Sequence, residues 1–154
     1  MSGPSGSGKT TEAQRILNTL VAEGETVKIV GANDYFTNED GVYDFNPRHL
    51  DEAHADCLYD FVEAITTDEV TVLIVDNTNL AEGEISPYLR VAEAYEYDVE
   101  IVVCRGKYPN SHGVEPWRVT KQEAKLGATL KWWNIQDGAT TYGAFRGTKV
   151  RVVE

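Results

Sequence analysis

Eight residues near the amino terminus, Gly3-Pro4-Ser5-Gly6-Ser7-Gly8-Lys9-Thr10, constrain the fold more than any other stretch of the chain. They satisfy every fixed position of the spacing G-x-x-x-x-G-K-[ST]. Glycines let the backbone turn tightly, so that successive N–H groups converge on one concavity that suits phosphate oxygens. A helical pattern follows over 9–23, with Ala13, Ile16, Leu17 and Leu20 at helical spacing and Gly24 as a stop. The positive end of that helix points at the same anion. Lys9 is expected to reach the β- and γ-phosphates, and Thr10 to offer its hydroxyl to Mg2+. The predicted binding set is Gly3, Ser5, Gly6, Ser7, Gly8, Lys9, Thr10 and Thr11. The ligand it implies is a nucleoside triphosphate, ATP with Mg2+.

The rest of the chain alternates short β-branched runs with helical patterns. Val27–Val30, 70–75 and 99–103 read as strands, the last two of the type buried on both faces. Helices are expected over 47–65, where Asn46 caps and Pro47 takes the first helical position, then over 85–97 and 117–127. Residues 130–135 and 150–153 read as two further strands around a Gly-rich connection. This alternation predicts an α/β fold with a parallel sheet and ligands at the strand C-termini. The 154 residues suffice for one domain. A phosphate loop normally leaves a buried strand, yet only Met1 and Ser2 precede Gly3. A late start, a missing central strand, or a C-terminal strand taking its place each account for this, and a late start is preferred.

Charge divides the chain. Residues 1–104 carry 5 Lys/Arg against 21 Asp/Glu, and residues 105–154 carry 9 against 4. The acidic part argues against wrapping long nucleic acid, and reads equally as solubilising surface or the mark of a salty or viral setting. The basic third holds Trp117, Trp132 and Trp133, and suits local contact with phosphates or a strand end. The tryptophans either stack bases or pack, and at least one is expected in the core. No apolar run is long enough to span a membrane and no secretory leader is visible, so a cytoplasmic location without membrane partners is expected. Cys57 and Cys104 fit no metal spacing and are expected to be reduced and buried. His54 and Cys57 lie three apart on a predicted helix, with nothing to complete a metal site, and are expected to pack. The oligomeric state is not readable.

Two strand ends carry candidate acceptor-side carboxylates. Asp34 follows the Val27–Val30 strand, where a carboxylate can take a hydroxyl proton during attack on the γ-phosphorus or can simply cap its loop. Asp76 closes the next strand, the position of a carboxylate that orients Mg2+ or holds its own turn. Asn77, Thr78 and Asn79 either touch substrate or build that turn.

The order of these stretches resembles the polynucleotide-kinase-like group of P-loop kinases, which includes bacteriophage 5′-hydroxyl polynucleotide kinases. The likeness lies in the glycine loop, Asp34-Tyr35-Phe36, Asp40-Gly41-Val42-Tyr43-Asp44-Phe45-Asn46-Pro47, Val75-Asp76-Asn77-Thr78-Asn79-Leu80 and Asn110-Ser111-His112-Gly113-Val114, within residues 3–125. It implies a three-layer P-loop kinase domain over 1–154, with a short lid at about 105–118 and a basic extension at about 128–154. It also implies phosphoryl transfer from ATP to a hydroxyl of a nucleic-acid end or nucleotide, an aspartate base and lid arginines. A modified DNA base or a small metabolite is the alternative acceptor, and a nucleotide-binding module with little transfer the alternative class. The chain departs from the pattern twice. Asn33-Asp34 replaces an aspartate pair, leaving Asp34 as the available base. Pro109 replaces the lid arginine, leaving Arg105, Lys107 or Arg118 to supply the charge. His112 either contacts phosphate or packs.

Overall fold

The computed structural model describes residues 1–67, 70–109 and 112–154, so the expected roles of Asn110 and Ser111 lie outside the described residues. The fold is α/β with parallel strands, as expected. It divides into two compact units, residues 13–77 and residues 1–12 with 78–154.

The first of these is a βαβ arrangement. Strand β1 (Val27–Val30) pairs in parallel with β2 (Val72–Val75), with Val27 opposite Val72 and Val30 opposite Val75. Between them in sequence runs helix α2 (Leu50–Thr66). Its start differs from the expected one. Asn46 Oδ1 accepts the Arg48 N–H at 3.1 Å, capping a 3₁₀ turn over Pro47–His49, and α2 begins only at Leu50. Ala53, Cys57, Phe61, Ala64 and Ile65 recur on one face of α2 and are buried there.

The other unit contains β3 (Glu100–Cys104) and β4 (Lys149–Val153), also parallel, with Ile101 opposite Val150 and Cys104 opposite Val153. Ser2 lies along the other edge of β3. Its N–H donates to Val102 O and its O accepts from Cys104 N–H, each at 2.8 Å. The C-terminal strand therefore does not take the place beside the glycine loop; Met1–Ser2 lead into the loop along β3, and β4 covers β3's opposite edge. Helix α3 (Glu82–Ala94) starts three residues earlier than its pattern suggested. Glu84 accepts the Leu80 N–H at 2.7 Å, tying the segment before the helix to its first turn. Helix α1 (Lys9–Ala22) follows the loop.

Residues 130–135 are not a strand. Helix α4 runs through them from Pro116 to Trp133. Leu126, Leu130 and Trp133 fall on one face of a continuous helix, and burying that face outweighs the β propensity of a short apolar run. Asn134 ends the helix in the left-handed region at φ 44°. Trp133 is 0% exposed, within a core that includes Leu89, Ile101, Val103, Leu126 and Val150. Its ring meets Phe145 edge-on at 6.0 Å, and Nε1 donates to Glu82 at 3.1 Å. Trp133→Ala is expected to lower stability in urea denaturation by about 3–5 kcal/mol, from lost burial plus the cavity left behind. Trp132 and Trp117 are exposed, so the expectation that at least one tryptophan is core holds for Trp133.

Candidate active site

The glycine loop is built as its spacing demands. Gly6 and Gly8 sit at φ 76° and 87°, the left-handed region that L side chains resist. A Cβ on Gly3 would stand 2.5 Å from both Cys104 O and Ser7 Oγ, so only glycine allows the chain to pass there. Gly3 N–H is anchored on Thr78 O at 2.8 Å. Lys9 opens α1, and its ammonium donates to Pro4 O at 2.8 Å, folded back over the loop that carries it. Thr10 and Thr11 stand exposed on the first helical turn. Ser7 is 3% exposed, and its hydroxyl has no hydrogen-bond partner among the described residues. A buried hydroxyl left so is costly in an apolar setting and is suited to an anion in the cradle. Glu12, 8% exposed in the same turn, is held by Arg151 of β4 at 2.9 Å, and Arg151 Nε also lies 3.6 Å from Glu100. The pair ties the start of α1 to β4 and offsets a negative charge close to the phosphate loop.

Two residues absent from the sequence reading grip the loop from outside. Gln122 of α4 accepts the Ser5 N–H at 2.8 Å. Tyr108 donates its N–H to Gly6 O at 2.9 Å, and its ring lies where a Cβ on Gly8 or Gly106 would sit, at 2.9 and 2.4 Å. Neither belongs to a motif, and no pattern in the sequence marks either as a partner of the loop. Beside the loop opens a cleft of about 440 Å³ lined by Pro4, Arg105, Lys107, Glu123, Leu126 and Leu130, among others. Two of the three predicted lid cations, Arg105 and Lys107, thus line one cleft with the loop. Arg118 is not among its lining residues. Arg118 and Lys121 instead lie over the Trp117 ring, at 5.2 and 5.1 Å from its centroid. Those cations already engage a face of the ring that base stacking would need. His112 is exposed.

On the acceptor side, Asp34 opens a 3₁₀ turn (Asp34–Phe36) directly after β1, and its Oδ2 accepts the Gly31 N–H at 3.1 Å. Partial burial pushes its pKa above the ordinary carboxylate value. The Gly31 N–H opposes that shift, and the negative charges of Asp60 and Asp76 add to it. Asp76 closes β2, its N–H donating to Val30 O at 2.9 Å. Asn77 and Asn79 are architectural. Asn77 is buried, accepts the Ala32 N–H at 2.8 Å and donates to Cys57 Sγ at 3.4 Å. Asn79 adopts φ 44°, donates to Met1 O at 3.0 Å and accepts from the Ser2 hydroxyl through its carbonyl at 2.7 Å. Cys57 and Cys104 are both buried thiols outside any disulfide. His54 is exposed, so it does not pack as expected.

For Mg2+, the chain offers hard oxygen donors: the Thr10 hydroxyl and the Asp76 carboxylate, one oxygen of which is buried. No group of three or more His, Cys, Asp or Glu among the described residues is placed to hold a metal by itself. The Thr10 and Asp76 oxygens are each of the hard kind Mg2+ takes, one or two from protein with waters and substrate phosphates completing the shell. Among the described residues no helix is long and apolar enough to cross a membrane.

The chain is similar to several known proteins. Human NEDD4-binding protein 2 is 33% identical over 97 residues, which cover 63% of this chain and 5% of that protein. The chain therefore spans a small fraction of this relative's length. Among solved structures, a Mycobacterium tuberculosis APS kinase CysC mutant matches with a TM-score of 0.52 at 17% identity, over 84% of this chain and 93% of the other. The crystal structure of APE1195 matches with a TM-score of 0.53 at 17% identity, over 99% and 81%. These two likenesses show the fold. The AAA domain family (AAA_33) matches residues 1–107, the stretch that holds the glycine loop, Asp34, Asp76 and the two cleft cations, and the chain belongs to that kinase-like P-loop family.

Proposed function

We propose that the chain is a Mg2+- and ATP-dependent kinase that transfers the γ-phosphate to a hydroxyl of a nucleic-acid end or nucleotide. The observation that carries this reading is the loop itself, with its glycine turns, the buried Ser7 hydroxyl and Lys9 at the mouth of α1. In this reading residues 1–154 form one kinase domain, with a lid at about 105–118 and a basic extension at about 128–154. Backbone amides at Gly6 and Gly8 hold the phosphates, and Lys9 swings from Pro4 O to the β- and γ-oxygens. Thr10 and Asp76 would hold Mg2+, which would supply charge neutralisation at the phosphates. Asp34 takes the acceptor's hydroxyl proton. Arg105 and Lys107, with Arg118 as the third candidate, stabilise charge on the transferred group. Polynucleotide-kinase-like chemistry and a cytoplasmic setting are part of the same proposal.

One observation favours a smaller acceptor. Asp34 lies within the field of Asp60 and Asp76, and nearby Glu52 accepts from Tyr35 at 2.8 Å with His49 Nδ1 2.7 Å from the same oxygen. Clustered carboxylates repel a phosphate-bearing acceptor and favour a neutral hydroxyl, on a nucleoside, a modified base or a metabolite. The experiment is transfer of labelled γ-phosphate from MgATP to a panel of 5′-hydroxyl DNA and RNA oligonucleotides, hydroxymethylated DNA, nucleosides and nucleoside monophosphates. Labelling of oligonucleotides supports the strand-end reading, and labelling confined to nucleosides or modified DNA moves the assignment to the smaller acceptor. ATP binding with no labelling of any acceptor would leave a nucleotide-binding module.

A further inference from the structure

The inward stripe of α4 ends in a polar side chain. Leu126, Leu130 and Trp133 carry the stripe into the core, and Gln122, four residues before Leu126, continues it toward the glycine loop. There its carboxamide oxygen accepts the Ser5 N–H at 2.8 Å, in a half-buried bond that joins residues 117 apart. The helix beneath Gln122 is fixed. Thr129 donates its hydroxyl to Leu80 O at 2.8 Å, Lys125 pairs with Glu84, and Trp133 is buried below. Gln122 therefore stands on a rigid support rather than a mobile one.

We infer that Gln122 is a positioning residue for the phosphate cradle. Its bond sets the plane of the peptide that enters Ser5. One residue later, Gly6 O accepts the Tyr108 N–H at 2.9 Å. Two successive loop residues are thus held from outside the loop, one through its donor and the next through its acceptor. Gly6, at φ 76°, has no side chain to restrict it and needs such support. A cradle aligned before the anion arrives pays no ordering cost on binding. The residue type matters as well. A carboxamide accepts the N–H without charge, whereas a carboxylate at 122 would make the same bond and set a negative charge beside the phosphates. The inference rests on the reading that this loop binds nucleotide phosphates.

The test compares MgATP, inorganic triphosphate and adenosine binding by calorimetry in the full chain, Q122M and Q122E. Q122M keeps the length and apolar stem but loses the strong acceptor. It is expected to weaken MgATP and inorganic triphosphate by about fivefold each, the size of one net hydrogen bond, and to leave adenosine unchanged. Q122E keeps the acceptor and so keeps the Ser5 amide protected from hydrogen exchange, as in the parent chain. It is expected to weaken triphosphate binding at low salt and to recover as salt screens the added charge. Unchanged triphosphate affinity in Q122M, with or without a lower melting temperature, would overturn the inference and leave Gln122 a structural tie. Should Q122M fail to fold, Q122E with no salt-dependent loss of triphosphate affinity would overturn it as well. A parent chain that binds neither ATP nor inorganic triphosphate would instead overturn the phosphate-loop reading itself, before any variant is compared.

Discussion

Replacing Lys9 with methionine is expected to lower phosphoryl transfer by about three orders of magnitude, the upper range for loss of one preorganised donor to a transferring phosphoryl group. Methionine keeps most of the unbranched stem and removes the charge. The structure shows why the fold should survive. Lys9 donates to Pro4 O and sits at the first position of α1, where methionine is as good a helix former. Loss of that bond costs about 1 kcal/mol, which for a chain of this size moves the melting temperature by only about 2–4 °C. The glycine turns that shape the loop do not depend on the lysine. Turnover by γ-phosphate transfer and stability by thermal melting, measured on the same preparation, check the two halves of the expectation. A Lys9→Met protein that melts normally and transfers phosphate at the parent rate would remove the glycine loop from the chemistry.

The parts of this architecture that were legible in the sequence are those whose information is local. The loop is contiguous, and its glycines are required by backbone geometry at their own positions. Val27–Val30 was readable to the residue because a short β-branched run is bounded by turn residues. The Asn46 cap was legible for the same reason, although the turn it caps is 3₁₀ and not α. Residues 130–135 misled because a short stretch with Leu130, Trp132, Trp133 and Ile135 apolar fits a strand and a buried helix equally well. Only the distant partners of Leu126, Leu130 and Trp133, on α3, β3 and β4, decide between them. Asn77 and Asn79 could be read as substrate contacts or as turn builders, because polar residues at a strand end serve as either. Their partners, Ala32, Cys57, Met1 and Ser2, are far away in sequence and consume their donors and acceptors in holding strand ends. Gln122 and Tyr108 were illegible because nothing in a one-dimensional pattern places residues 108 and 122 on residues 5–8. Among the cations, the sequence could nominate Arg105, Lys107 and Arg118 but not rank them. The fold sets Arg105 and Lys107 along the cleft and Arg118 over Trp117.

Replacing Asp34 with asparagine is expected to lower turnover by a factor of about 10²–10⁴, the usual worth of a positioned base, while nucleotide affinity stays at the parent level. The same substitution is expected to hold or raise stability at neutral pH. Asp34 is pushed toward its neutral form by partial burial and by Asp60 and Asp76, with the Gly31 N–H only partly opposing the shift. The sign follows from linkage. A carboxyl whose folded pKa lies above its unfolded value binds its proton more tightly in the folded state. Its contribution to stability is present below the unfolded pKa and is lost as pH rises through the folded one. At neutral pH the parent chain therefore carries a charge that the fold disfavours, and asparagine removes it. Asparagine can still accept the Gly31 N–H through its side-chain oxygen, so the loop after β1 keeps its tie. Stability and activity should then part company as pH changes. The gain in melting temperature from Asp34→Asn should shrink as pH falls toward the carboxylate range. The acid limb of kcat/KM in the parent enzyme should lie above the pKa of an ordinary aspartate. Such a trade is what a general base requires, since a proton acceptor is useful near its operating pH only if its surroundings make the charged form costly. An Asp34→Asn protein that is less stable than the parent at pH 7 and retains its turnover would show that Asp34 only caps its loop, and would move the search for the base elsewhere in the chain.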